Sequence, residues 1–216
     1  ILCSLLIGVV FGNLAWGVPI GADKEFAGHF LNQMHPYSLL VGVLILSLFM
    51  MHGSIYLVMK TEGELQGRVQ QWAKSAMIFF IVTYGVTTLA TLLYVPHMSD
   101  TIRKFPVLFA VPLAGLLAIA NIPREISKGH DFRAFLSSSA AIVFLMALFG
   151  IDMFPHLLFS SPNSEYSLTI YNAASSPKTL QIMLVIAALG MPLVIAYTVS
   201  IYWIFRGKVK LEAGSY

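Results

Sequence analysis

The sequence predicts an all-α fold, a polytopic membrane helical bundle of six transmembrane helices with the first one truncated. Composition is the first reason: 57% of the 216 residues are hydrophobic and only 11% charged, against about 25% charged in an ordinary soluble domain. The second is the run Tyr37–Met59, 23 residues without Asp, Glu, Lys or Arg, long enough to cross about 30 Å of hydrocarbon at about 1.5 Å per residue. The third is where the basic residues fall. Nine of them (Lys60, Arg68, Lys74, Arg124, Lys128, Arg133, Arg206, Lys208 and Lys210) lie on alternate links and the tail. The intervening links hold only Lys24, Arg103, Lys104 and Lys178. That alternation expects six spans with a cytoplasmic C-terminus. It also explains the formal charge of +3, which therefore gives no reason to expect nucleic acid as a partner.

The first helix is expected over residues 1–16, ending at Gly17-Val18-Pro19. It opens on Ile1 with no basic n-region and no small-residue cleavage site, so it reads as a helix cut partway, in the C-terminal part of a longer protein. A polar loop with Asp23, Lys24, Glu25, His29, Asn32 and His35 leads to Pro36 and the second helix, 37–59. The third is expected over 72–94; the link before it is helical too, since Glu64 and Arg68 stand in favourable i,i+4 order. The fourth, 105–122, carries Pro112, which predicts a kink. The fifth, 133–158, reaches Asp152 and Pro155 near its far end. The sixth, 178–205, is announced by Ser176-Pro177, an N-cap followed by proline in the first turn, and carries Pro192. Together these form one domain.

His52 is the sole ionisable residue of the second span, about 12 Å in from Lys60. An ionisable group at that depth is a functional hypothesis by default, here a proton relay or a haem ligand. The plainer reading is a neutral imidazole hydrogen-bonded between helices, and it is preferred because one histidine makes no relay. Asp152, the only carboxylate inside a span, is a second proton-relay candidate, on an exit path. The preferred role is again structural, a hydrogen bond to backbone freed by Pro155. Histidines 29, 35, 97, 130 and 156 lack metal-ligand spacing, and Cys3 stands alone, excluding an internal disulfide and a cysteine-based cluster. No phosphate loop or nucleophile elbow appears. Mid-helix Pro112 and Pro192 leave a polytopic transporter with broken helices as an alternative, and a scaffold without redox chemistry as a third reading.

Several short motifs recur in a telling order: Phe11-Gly12-Asn13 with Gly17-Val18-Pro19, Pro36 with Leu39-Leu40, then Gly53 and Tyr56-Leu57. The turn Lys60-Thr61-x-Gly63-Glu64-Leu65-x-x-Arg68 follows, and later Met153-Phe154-Pro155, Ser167-Leu168-Thr169, Ala174-Ser175-Ser176 and Tyr202-Trp203. In these the chain resembles the C-terminal portion of subunit II of cytochrome bd-type quinol oxidases. The resemblance implies a haem-free subunit of a bacterial or archaeal cytoplasmic-membrane enzyme that oxidises quinol and reduces oxygen to water. Haems b and d are then expected on a partner, subunit I, with membrane lipid and quinone as further partners and no cofactor or complete active site on this chain.

The Lys60–Arg68 turn carries two further expectations. Lys60–Glu64 and Glu64–Arg68 should pair at i,i+4 spacing, and Gly63 with Gly67 should offer a flat strip against which another segment packs, as should Gly53 within its span. The topology predicts opposite accessibility for cysteines placed at Gly67 and at Ser164 in a Cys3→Ser background; labelling of both from one side of the membrane contradicts the six-span map.

Overall fold

Charge-free runs become helices here because lipid offers the backbone no hydrogen-bond partners. The structure, a computed structural model, describes residues 1–208; Lys210 lies outside them. Helices α1 (Leu2–Trp16), α2 (Pro36–Lys60), α3 (Gly63–Tyr94), α4 (Asp100–Lys104), α5 (Ala110–Ser127), α6 (Asp131–Met153) and α7 (Pro177–Ile204) follow one another, with a small antiparallel pair, β1 (His156–Leu158) and β2 (Leu168–Thr169), before α7. Among the described residues five helical stretches are long and apolar enough to cross a membrane, and α1 is a shorter apolar helix. Both expected proline starts are capped: His35 Nδ1 accepts from the Ser38 amide, and Ser176 from the Thr179 amide.

The core lies among α2, α3, α5 and α6. Met51, Phe80 and Ile122 are wholly buried there, with Ala76, Ala134 and Ala141 letting the helices approach. Hydroxyls cross the same interfaces. Ser47 and Thr83 bridge at 2.8 Å, and the Tyr37 hydroxyl meets Thr91 at 2.9 Å. Thr83, Thr87 and Thr91 return their own protons to carbonyls one turn back. A second contact, as extensive as any between two helices here, is built on glycine. A Cβ on Gly8 would lie 2.6 Å from the Gly42 Cα, and one on Gly12 2.6 Å from the Ser38 Cα. Helix α1 therefore lies on α2 backbone to backbone.

Helix α7 differs, since none of its residues is buried. At its C-terminal end Lys60 Nζ donates to the Phe205 carbonyl at 2.9 Å and the Gly207 carbonyl at 3.4 Å, and Lys208 stands 3.9 Å from Glu62.

Several boundaries depart from the sequence reading. The expected link before the third span is continuous with it, so α3 starts at Gly63; its φ of +64° is the left-handed geometry that glycine adopts freely. Over 32 residues it is about 48 Å long, so its charged first third reaches beyond the hydrocarbon. Helix α6 stops at Met153, short of the expected 158, because Phe154 turns extended before Pro155. Residues 156–158 are strand. Pro112 sits in the first turn of α5, where no interior kink arises, whereas Pro123, expected in a loop, lies inside α5, which runs on to Ser127. Gly53, Gly63 and Gly67 have nothing within 4 Å of a built Cβ, so the close contacts expected of them are absent among the described residues. Lys60 does not pair with Glu64; it reaches the α7 carbonyls instead. Glu64 does meet Arg68, at 2.6 Å, but at 83% and 70% exposure the pair adds little.

Gly8→Leu should destabilise the chain by about 1–3 kcal/mol, the usual cost of overpacking, read by denaturant titration in detergent. Gly85→Leu, where nothing lies within 4 Å, should leave the midpoint unchanged. Equal midpoints for both variants contradict the α1–α2 packing.

Candidate functional site

Helix periodicity puts His52 on the side of α2 that meets α6. Its Nδ1 lies 2.9 Å from the Ser138 hydroxyl, and Ser138 donates its own proton to the Phe135 carbonyl at 2.8 Å. Which of the two donates depends on the ring's tautomer. The ring stacks on Phe135 with centroids 5.0 Å apart, and Tyr56 closes on the same phenyl at 5.7 Å. This is the interhelical bridge preferred from the sequence. Among the described residues Nε2 has no hydrogen-bond partner, and His52 is half-buried.

Asp152 ends α6 near the other face of the bundle. It is 8% exposed, and its Oδ1 is buried without a hydrogen-bond partner among the described residues. The structural bond to backbone expected near Pro155 is therefore not made. Ser138 and Asp152 are 14 residues apart on α6, about 21 Å of helix, so His52 and Asp152 are not brought together.

Three polar groupings escaped the sequence reading. Asn121 donates to Ser137 across α5 and α6 at 2.9 Å, and Ser137 donates onward to the Arg133 carbonyl. One turn further along α5, buried Glu125 meets His130 Nδ1 at 2.9 Å. The spacing Asn121/Glu125 and Thr83/Thr87/Thr91, each four apart, was the available signal. At the Pro36 end, the rings of Trp16, His35 and Tyr37 cluster, His35 parallel to Tyr37 and Trp16 tilted against both, beside a cavity of about 290 Å3 lined by Asn13, Gly17, Gln33 and Ser161. Nearby Phe159 lies between His97 and His156, at 4.6 and 4.3 Å. Among the described residues no three His, Cys, Asp or Glu gather as a metal site.

Fold and polar contacts define a multi-pass membrane helical protein whose intramembrane polar side chains are mostly engaged in ties between helices. The family model for cytochrome bd terminal oxidase subunit II matches residues 1–205, and the chain belongs to that family. Subunit 2 of the cytochrome bd-I ubiquinol oxidase of Escherichia coli (strain K12) is similar, 29% identical over 238 residues, covering 96% of this chain and 63% of that one. Subunit 2 of the cytochrome bd ubiquinol oxidase of Bacillus subtilis (strain 168) is 29% identical over 208 residues, covering 95% and 60%. A chain of the solved bd oxidase from Geobacillus thermodenitrificans shares the fold, with a TM-score of 0.70 at 13% identity over 94% of this chain and 62% of that one. The chain thus spans under two thirds of the length of the curated relatives it matches.

Outside the spans, burial holds His35 below the ordinary imidazole pKa of 6.5; for His156 burial and then the neighbouring His97 do the same. The native state favours the neutral rings, so the stability they carry is present above pH 6.5 and is lost as pH falls below it. Proteolysis of the 159–176 loop should accelerate between about pH 7.5 and about pH 5.5, and His156→Phe should flatten that dependence. Cleavage that is slower in acid contradicts the assignment.

Proposed function

We propose that this chain belongs to the haem-free subunit II of a quinol:oxygen oxidoreductase, assembled with a haem-bearing subunit I in a bacterial or archaeal cytoplasmic membrane. The observation that carries the proposal is the family match over residues 1–205. The shared fold, read across 94% of the chain, supports it. In this reading quinol is oxidised and oxygen reduced to water on subunit I, with haems b and d there, and protons for water come from the cytoplasm. The C-terminus and the α2–α3 turn face the cytoplasm, which the nine basic residues on that side support.

The residues of this chain offer haem poor terms. His52 stands singly in its span, with one ring nitrogen committed to Ser138 and one ring face stacked on Phe135; axial ligation calls for a formed pocket around the iron. What the chain's own residues supply is position: Ser47–Thr83, Asn121–Ser137 and His52–Ser138 fix the four core helices against one another. His52 and Asp152 are the two candidates for carrying a proton, and the 14 residues of α6 between Asp152 and Ser138, the partner of His52, make them independent stations rather than one relay. The transporter alternative loses its main support, because α7 runs unbroken through Pro192 and Pro112 falls in a first turn.

Purified by a tag on this chain from its own membrane, the protein should bring a haem-bearing partner visible in a reduced-minus-oxidised spectrum, with quinol-dependent oxygen consumption. A haem-free preparation that instead drives solute uptake in vesicles contradicts the proposal.

A further inference from the structure

The segment joining α3 to α5 lies at the Pro36 end of the bundle, where the Tyr37 hydroxyl meets Thr91 near the end of α3. It is held firmly there. Val95 and Met98 are buried in a cluster with Ala15, Tyr37, Val41 and Met153, and His97 Nε2 meets the Ala15 carbonyl at 2.9 Å. Helix α4 lies against α6, and its end is closed by the Phe105 amide donating to the Thr101 carbonyl.

This fixed elbow carries two adjacent cations, Arg103 and Lys104, both exposed. Neither makes an ion pair among the described residues. Asp100 precedes them by three and four residues, the favourable order on a helix, yet it pairs with neither. The nine basic residues at the other end of the bundle follow the positive-inside rule, and these two go against it. What comes next along the chain is apolar and equally exposed: Phe105, Val107 and Phe109. The span Pro106–Ser127 begins three residues after Arg103, a reach of at most about 10 Å, and a headgroup layer is about 5–7 Å deep. The cations therefore stand at the depth of lipid phosphates. The apolar side chains stand level with the upper acyl chains.

We propose that Arg103 and Lys104 bind the phosphate of an anionic phospholipid in the leaflet at this end of the bundle, with its acyl chains against Phe105, Val107 and Phe109. Charge complementarity selects the occupant. A guanidinium takes two phosphate oxygens side by side, and the neighbouring ammonium adds a point charge. A zwitterionic headgroup brings its own cation, so it gains less from a doubly positive site. A protein partner seated here would have to bury both cations against carboxylates, at a desolvation cost that a lipid surface does not impose. The inference rests on the chain spanning the membrane and is independent of the oxidase reading.

Photolabelling of the full-length protein in phosphatidylcholine vesicles tests it. Trace phosphatidylglycerol and trace phosphatidylcholine carry the same photoactivatable group on the acyl chain, close to the glycerol. The phosphatidylglycerol probe should label the peptide holding Phe105–Phe109 more strongly than the phosphatidylcholine probe does. Its labelling should fall about fivefold in each of Arg103→Gln and Lys104→Gln. The exchange Arg103→Lys with Lys104→Arg, which keeps both charges, should retain it, as should Lys24→Gln on the same side of the bundle. The pattern should persist in a host lacking the haem-bearing partner. Equal labelling by the two probes, or labelling unchanged when both cations are removed, overturns the proposal. So does loss of labelling to added inorganic phosphate, which would make the ligand a free anion, and so does a polypeptide adduct to a photo-crosslinker carried at position 107.

Discussion

The absence of water in the hydrocarbon is the constraint on which the structure depends. Any polar group carried into a span must find its partner inside the protein. The chain answers with four side-chain ties: Ser47–Thr83 and Tyr37–Thr91 join α2 to α3, Asn121–Ser137 joins α5 to α6, and His52–Ser138 joins α2 to α6. Such bonds contribute about 0.6 kcal/mol each on average and rarely more than about 1.7. Four of them fix register; most of the cohesion comes from close packing around Met51, Phe80 and Ile122. The ties also decide chemistry, because Ser137 accepts from Asn121 and spends its own proton on the Arg133 carbonyl. A hydroxyl locked in that way is a poor link in a proton chain. The same bookkeeping leaves Asp152 conspicuous, a buried carboxyl oxygen without a partner near one end of α6.

Two helices stand apart from this core for different reasons. Helix α1 is joined to α2 by glycine, so its contact is dispersion between backbones and tolerates no added methyl. Helix α7 is apolar around its circumference, as a helix facing lipid or another membrane helix must be, and Lys60 supplies a cation to the carbonyls at its C-terminal end. The polar ends of the bundle are unlike. At the Lys60 end the α2–α3 connection is tight and Gln66 reaches both the Val58 carbonyl and Asp131. At the Pro36 end aromatic and histidine rings interleave, and the β1–β2 pair lies between α6 and α7.

Helix existence was legible in the sequence because hydrocarbon demands uninterrupted apolar runs, and the proline start at Pro36 and the Ser176 cap before Pro177 were legible from local chemistry. Ends governed by proline were less so. Pro155 terminates α6 while Pro123 is absorbed by α5, and sequence alone does not separate the two. Long-range partners were not legible: Lys60 has a local candidate in Glu64 four residues on, yet it reaches residues 205 and 207. Gly53, Gly63 and Gly67 stay open among the described residues, whereas Gly8 and Gly12, four apart in α1, make a tight contact whose spacing was visible but went unread. His52 stood out from its depth, and the structure places its Nδ1 2.9 Å from the Ser138 hydroxyl on a neighbouring helix. Asp152 was found by the same logic, but its proposed backbone partner was not there.

The central claim is that the intramembrane polar groups hold helices rather than carry the reaction. A double-mutant cycle on His52→Phe and Ser138→Ala in the oxidase proposed above, with stability and turnover per haem both measured, tests it most directly. A stabilising coupling of about 0.5–1.7 kcal/mol with turnover per haem near wild type is the predicted result. Additive stabilities with turnover per haem collapsing in the His52→Phe variant would contradict it, and would move His52 into the proton path.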